Sequence, residues 1–411
     1  MVDISVELAG TKFDSPLFAA SGQATNCGEK IRKIALEGKP GGIFTKSVSI
    51  DTGQKWGRGD KQPTPLCWPW ITGPGRMGMT VVTARGEPYT CDDWYESEMA
   101  IAREGGVPII PSISGSHNLS EWVYLATNFE KAGAVMLEVN LGTPHAGPWD
   151  HGAVLLYSGI APQIIKLVKK SVKIPVMAKL PYTSNGAECA KYGKQVQDAG
   201  ADALKVCMPA QGMAIDIETG IPPLGIGSRS GILPGPPHKP LALFNVFVLA
   251  NEVKIPILGS GGVCNGKDVI EYIMAGASGV EICTWMMIKG PKLFHQINKE
   301  IIEWMEERGH KKIDDFKGVS LKYAGVEEYH DHPYSAVVDR EKCTGCGQCE
   351  EICTWLCQPK LPAAIQVDPE SKKAAVNLEK CIGCGYCFSH CSVKAISLKD
   401  WGKRLLVQST R

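Results

Sequence analysis

The sequence predicts an α/β protein: a (β/α)8 barrel followed by a small α+β module rich in cysteine. Two observations carry this. Eight short apolar, β-rich runs alternate with amphipathic segments between Pro16 and Gly309, and two identical Cys-x2-Cys-x2-Cys-x3-Cys runs stand near the C-terminus. The expected boundaries are 1–312 for the barrel, 313–336 for a linker and 337–411 for the module.

The strand-like runs are Leu17–Ser21, Gly42–Ser47, Pro108–Ile113, Val135–Asn140, Pro175–Leu180, Ala203–Met208, Pro256–Ser260 and Val280–Thr284. Near-continuous apolar character, rather than strict alternation, suits parallel strands covered on their outer side. The helix-like segments are Glu29–Glu37, Asp92–Glu104, Ser120–Gly133, Ala161–Ser171, Ala187–Gly200, Lys239–Val253, Gly266–Gly276 and Pro291–Arg308. Eight strands each followed by a helix is the barrel count. A doubly wound sheet has the same alternation, because strand order is not visible in a sequence.

Each apolar run stops on polar residues: Thr45-Lys46-Ser47, Ser112, Asn140, Lys179, Ser260-Gly261-Gly262 and Cys283-Thr284. A lone lysine at a strand end is often only a solvated terminus. Several such ends in one barrel point to a shared pocket on its C-terminal face. The last two are of the phosphate-binding kind, with small residues exposing backbone N–H groups at a helix N-terminus. Two long connections, Val48 to Cys91 and Asn140 to Gly159, fall on the same face and suit lids or pocket walls. Gly73-x-Gly75-x-x-Gly78 has the spacing of a dinucleotide fingerprint but follows Cys67-Trp-Pro-Trp70, which is no strand, and opens no helix. It reads as a loop.

The cysteine runs are Cys343, Cys346, Cys349, Cys353 and Cys381, Cys384, Cys387, Cys391. Two in tandem mark a ferredoxin-like module holding two 4Fe–4S clusters, the fourth Cys of each run reaching the other cluster. The expected ligand sets are Cys343, Cys346, Cys349 with Cys391, and Cys381, Cys384, Cys387 with Cys353. Paired zinc sites are the alternative. Thr354 and Ser392 replace the proline that commonly follows the fourth Cys. Cys357 is an additional thiol, read as a spare or as a replacement ligand.

A 44% hydrophobic content suits a globular chain with a large core. The net charge of +1 gives no reason to expect nucleic acid or an anionic membrane. The apolar stretch around 240–250 is broken by Asn245 and is too short for a bilayer, and the first ten residues lack a signal-peptide layout. Cluster thiolates imply a reducing, cytoplasmic setting.

With those elements placed, the barrel resembles the dihydroorotate dehydrogenase family. The strings are Leu17-Phe-Ala-Ala-Ser21, Thr45-Lys-Ser47, Ser112-Ile113 with Asn118 and Trp122, Glu138-Val-Asn-Leu141 with Pro144-His145, Ala178-Lys-Leu180, Gly200-Ala-Asp202 and Gly259-Ser-Gly-Gly262. With the cysteine tail included, the layout is similar to the pyrimidine-reducing subunits of NAD-dependent dihydropyrimidine dehydrogenases. The resemblance implies FMN, with Ala20 and Ser21 against the ring and Lys46, Ser47, Asn140 and Lys179 near it. Gly261, Gly262, Cys283 and Thr284 would hold the phosphate. A lysine beside the ring stabilises the reduced anion in a dry site; a strand-end lysine that merely snorkels is the alternative.

The family places a Cys or Ser acid/base in the loop after Asn140-Leu-Gly-Thr-Pro-His145. Here that loop has no Cys, and Ser158 aligns best, with Tyr157 and His151 as alternatives. The resemblance also implies an NADH-oxidising FAD/iron–sulfur subunit or a ferredoxin as electron partner, and a homo- or hetero-oligomer. Met208-Pro209 stands where pyrimidine-binding members carry Asn-Thr, and Trp68, Trp70 and Met77 lie where another pocket Asn is expected. These substitutions point away from a polar ring edge, because each unsatisfied buried hydrogen bond costs about 1–3 kcal/mol.

Overall fold

Eight parallel strands hydrogen-bond in chain order and close into a ring. The computed structural model describes residues 2–50, 68–69, 80–81, 89–142, 159–206, 209–213, 215–221, 231–325, 334–356 and 363–400. They divide into two compact units, Met1–Ala324 and Gly325–Arg411.

In the first unit the strands are Leu17–Ala19, Gly42–Phe44, Ile109–Ile110 continued by Ser112–Ile113, Leu137–Asn140, Val176–Lys179, Ala203–Val206, Ile257–Ser260 and Gly279–Ile282. We number them one to eight. Pro111 splits strand three because it has no N–H to donate, yet its carbonyl still accepts from Glu138 N–H at 2.8 Å. Ile109–Ile110 pairs with strand two, Ser112–Ile113 with strand four, and strand eight returns to strand one. A doubly wound sheet would reverse its strand order at a switch point; this one does not, and it is a barrel.

The helices follow the expected segments closely. Ala161–Ser171 buries Ala161, Ile164, Ile165 and Val168, the one-face spacing of an amphipathic helix. Asn118, Asn185 and Asn265 cap the starts of Leu119–Lys131, Gly186–Asp198 and Gly266–Met274 by accepting from backbone N–H groups. The segment expected over Asp92–Glu104 is interrupted by a π-turn at Trp94–Glu98. From that turn Glu98 Oε2 accepts from Gly28 N–H at 2.5 Å. It thereby caps helix Gly28–Gly38, whose own Cys27 makes no side-chain cap. An unexpected hairpin, Val6–Leu8 with Thr11–Phe13, turns on Ala9 and Gly10 at φ 51° and 79°. It sets Phe13 edge-on to Phe18, with ring centroids 4.9 Å apart.

The described ends of the expected linker over 313–336, residues 313–325 and 334–336, belong to the two units. Ile313 and Phe316 are buried in the barrel unit, and Gly318 and Ser320 N–H groups bond the carbonyls of Ile273 and Met274. At its other end Tyr334–Val338 is already a strand of the second unit, paired antiparallel with Ile396–Asp400. Apolar burial and ladder pairing therefore consume both ends of the segment. The second unit adds the hairpin Ile365–Val367 with Ala374–Val376 and helices Gln348–Leu356 and Tyr386–His390. Its core is small, chiefly alanines, Ile365 and Ile396 around Cys343, Cys349 and Cys387. Among the described residues no helix is long and apolar enough to cross a membrane.

Strand two ends on Phe44, whose ring is fully buried inside the barrel beneath a lysine ammonium. Phe44→Ala is expected to lower the stability of the barrel unit by about 3–5 kcal/mol. Denaturant unfolding followed by Trp fluorescence checks this; a loss below about 1 kcal/mol would show that the interior refills the space.

Candidate active site

The register of the strands decides which side chains enter the barrel. Parallel partners share a face, so Glu138 pairs with Met177, Asn140 with Lys179, Lys179 with Lys205, and Ser260 with Glu281. Phe18, Ile110, Met177 and Leu258, from the odd strands, form an apolar floor on this register. Barrel interiors stack in layers contributed by alternate strands. The next layer, from the even strands, is Phe44, Glu138, Lys205 and Glu281, and three of its four members are charged.

Lys205 is fully buried at the middle of this layer. Its Nζ donates to Glu138 Oε2, lies 2.5 Å from Glu281 Oε2, and sits 3.7 Å from the centroid of the Phe44 ring. Ser112 Oγ donates to Glu138 Oε1 at 2.6 Å, and Ser260 Oγ to Glu281 Oε1 at 2.5 Å. Burial pushes the Lys205 ammonium down, but Glu138 and Glu281 outweigh it and hold the group above the ordinary lysine value. Burial likewise opposes ionisation of Glu138, and Lys205, Lys179 and the bond from Ser112 overcome it, so its carboxyl lies low.

Above this layer the predicted residues converge. Asn140 is buried and held at both ends, Nδ2 donating to Ser47 Oγ at 2.8 Å and Oδ1 accepting from Gly142 N–H at 3.2 Å. Ser47 in turn lies 2.8 Å from Ser112 Oγ. Lys179 Nζ stands 3.8 Å from Glu138 Oε1, and burial holds its ammonium below the ordinary lysine value. Lys46 is half-buried, acts electrostatically on both Lys179 and Cys283, and its N–H bonds Thr25 O at 2.8 Å. Burial, then Glu281, pushes the Cys283 thiol up to about 11, so it is a thiol at neutral pH.

The loops that end strands one, seven and eight meet at this mouth. Ala20 N–H bonds Ile282 O at 3.1 Å, and a Cβ on Gly22 would lie 2.7 Å from Cys283 Sγ, which places Ala20 and Ser21 beside Cys283 and Thr284. Gly261 and Gly262 have φ of 132° and 70°, which favour glycine, and a Cβ on Gly262 would come within 2.9 Å of Gly235 O. Tyr272 Oη fixes this turn by donating to Gly261 O at 2.8 Å. Side chains would close the space between these loops; their absence leaves a backbone cradle that fits a phosphate, with Lys46 and Lys179 at the same mouth. Ser158, Tyr157, His151, Met208, Trp70, Met77, Cys357 and Gly73–Gly78 lie outside the described residues, as does the side chain of Trp68.

In the second unit, Cys343, Cys346, Cys349 and Cys391 line one pocket of about 350 Å³, its mouth included, walled by Val367, Ala374 and Ile396. Cys353 and Cys381 pack on the same small core as Cys387. Backbone N–H groups of Ala374, Ala364, Ala336 and Ala395 donate to the sulfurs of Cys343, Cys353, Cys381 and Cys391 at 3.2–3.5 Å. Lys373 Nζ donates to Cys343 O. Burial, then the neighbouring Cys381 and Cys384, pushes the Cys387 thiol up to about 11. Among the described residues no three side chains converge on a single-ion site; cysteines lining one pocket and sharing one small core, with backbone N–H groups on four of the sulfurs, are instead a donor set that fits iron–sulfur clusters.

Sequence reasoning missed Lys205, Glu138 and Glu281 as a unit. The available signal was one charge inside each of three apolar strands: LEVN, ALKV and GVEI.

Residues 3–305 match the family described as Dihydroorotate dehydrogenase, and residues 335–392 match the 4Fe-4S dicluster domain. Similar curated proteins include the catalytic subunit of dihydroorotate dehydrogenase B (NAD(+)) of Thermoplasma volcanium, 33% identical over 78% of this chain and 100% of its own length. The same-named subunits of Pyrococcus furiosus and Methanocaldococcus jannaschii are each 32% identical, covering 78% and 74% of this chain and 100% and 94% of their own lengths. The first two align over their whole length and still leave part of this chain without a counterpart.

Because Glu138 titrates low in the folded chain, its stabilisation is complete above the unfolded carboxyl value of about 4.3 and fades as pH falls through the folded value. Glu138→Gln should therefore cost about 3–5 kcal/mol near pH 7, with the deficit against wild type shrinking below about pH 4. Thermal unfolding across that range measures it, and a pH-independent deficit would contradict the assignment. For the cysteines, Cys391→Ala and Cys343→Ala should leave the same residual cluster EPR spectrum, and Cys353→Ala the complementary one. Iron should fall below the about eight per chain of two cubanes. Matching spectra for Cys391→Ala and Cys381→Ala would reverse the pairing.

Proposed function

The chain belongs to the dihydroorotate dehydrogenase family, and from that premise we propose that it reduces or forms a C=C bond next to a carbonyl with electrons carried through two 4Fe–4S clusters. Members of this family are FMN-binding oxidoreductases acting on CH–CH bonds, and the C-terminal match adds the cluster domain. One observation carries the proposal. Asn140 and Lys179 stand in register at the mouth of a barrel whose own chain carries eight cluster cysteines.

Bound flavin exchanges single electrons with clusters and a two-electron equivalent with a carbon. The chain's residues do the rest. Lys179 and Lys46 bring positive charge to the ring. Asn140, held by Ser47 and Gly142, presents a fixed amide to the substrate carbonyl. Ser158 is our candidate to move the proton at the carbon beside the one that takes the electron pair, with Tyr157 and His151 next in line. Cys343, Cys346, Cys349 and Cys391 would hold one cluster, and Cys381, Cys384, Cys387 and Cys353 the other. Electrons would arrive from a separate NADH-oxidising flavoprotein or a ferredoxin.

The leading substrates are dihydropyrimidine and pyrimidine pairs such as dihydrouracil and uracil. Met208-Pro209 favours a second reading, a less polar unsaturated carbonyl compound. Anaerobic titration of the flavin decides among them. Bleaching by dihydrouracil supports the first, bleaching only by a more apolar saturated carbonyl supports the second, and bleaching by dihydroorotate assigns the substrate named for the relatives. No bleaching by any of them would leave an electron-transfer subunit. With the accepted substrate, Ser158→Ala should keep flavin reduction through the clusters and slow turnover by roughly 10²–10⁴; full turnover moves the acid to Tyr157 or His151.

A further inference from the structure

Among the described residues, two acids and two lysines, Glu138, Glu281, Lys205 and Lys179, share the barrel interior, and their spacing is unequal. Lys205, at the centre, contacts both acids, Glu138 and Glu281. The second oxygen of each acid is taken by a hydroxyl, Ser112 for Glu138 and Ser260 for Glu281. Every carboxylate oxygen is thus engaged before Lys179 is considered. Lys179 Nζ stays 3.8 Å from Glu138 Oε1, outside hydrogen-bond distance although both groups are buried. An ammonium and a carboxylate that close, in a dry interior and with no other hydrogen-bond partner for the ammonium among the described residues, would be expected to collapse into contact.

We infer that Lys205 is a positioning residue for the flavin chemistry: by occupying Glu138 and Glu281, it prevents Lys179 from pairing with Glu138 and reserves that ammonium for the reduced flavin. The inference rests on the proposed reading of Lys179 as the flavin-facing lysine. The charges agree with it. Two acids balance two bases, so the set is neutral, and the end of it nearest the mouth is a lysine. Lys205 is held firmly as a cation by its two partners. Lys179, whose ammonium burial disfavours, gains most from a new anion beside it.

The test uses the full chain loaded with flavin and clusters, and reads the two-electron flavin potential, the affinity for oxidised FMN and the thermal midpoint. Lys205→Met alone strands two carboxylates and risks misfolding, so two double variants carry the test. Both keep the four-residue set neutral. Lys205→Met with Glu281→Gln leaves Glu138 as an open partner for Lys179. The reduced flavin should then bind about tenfold more weakly relative to the oxidised form, a fall of about 30 mV for a two-electron couple. Lys205→Met with Glu138→Gln removes that partner and should hold the potential near wild type.

A merely structural role for Lys205 predicts equal potentials in the two doubles, with differences only in thermal midpoint, and that result overturns the inference. Lys179→Ala serves as the control on the premise. If it shifts the potential while the doubles agree, the inference alone fails. If it leaves the potential unchanged in a fully loaded protein, the reading of Lys179 fails and takes the inference with it.

Discussion

A lysine ammonium buried on the barrel axis is the constraint around which the interior is arranged. Removing Lys205 from water is costly, and only direct contact with two carboxylates makes the fully buried position tenable. Those carboxylates are themselves tenable because Ser112 and Ser260 satisfy their remaining oxygens. One charge therefore specifies polar groups on strands three, four, seven and eight, and the ring of Phe44 on strand two. Most barrels fill this layer with branched apolar residues. Here a layer that would otherwise only pack also sets the electrostatic field beneath the pocket.

The pocket inherits its geometry from that layer. Ser112 links Glu138 to Ser47, and Ser47 links onward to Asn140, so the amide at the mouth is tied to the central lysine by a continuous run of polar contacts. Such a run is rigid because each member has a short-range partner with a defined direction. The glycine-rich end of the mouth is built differently. There the bare Cα of Gly22 lets the loop after strand one approach Cys283, and the positive φ of Gly262, without a Cβ, lets the loop after strand seven approach Gly235. Polar bonding fixes one end of the mouth, and the absence of side chains opens the other.

The C-terminal unit obeys another economy. Its core of alanines and two isoleucines is small for a free-standing fold. Cysteines from both runs fill the positions that larger apolar side chains would occupy elsewhere, and backbone N–H groups already point at four of the sulfurs. In such a unit metal binding supplies much of the folding free energy, and the same N–H groups tune the cluster potential.

The eight strands and eight helices were legible because apolar periodicity is a local property, and the helix over Ala161–Ser171 matches its expected bounds. The cysteine spacing and the family strings were legible for the same reason, since each sits within a few residues of chain. The π-turn at Trp94–Glu98 was not, because its partner, Gly28, lies 70 residues away. The hairpin on Ala9-Gly10 carries no strong turn signal, and the segment 313–324 reads as linker until Ile313 and Phe316 find the barrel wall. Lys205, Glu138 and Glu281 were least legible of all. In the sequence each is a lone charge in an apolar run, 67 and 76 residues from its partner; register and ring closure alone turn the three side chains inward to one point. The sequence by itself determined the elements, the cofactor class and the polar strand ends, because those depend on neighbours along the chain. Only the tertiary structure decided which charges meet, because a buried ion pair is defined by distance across the barrel.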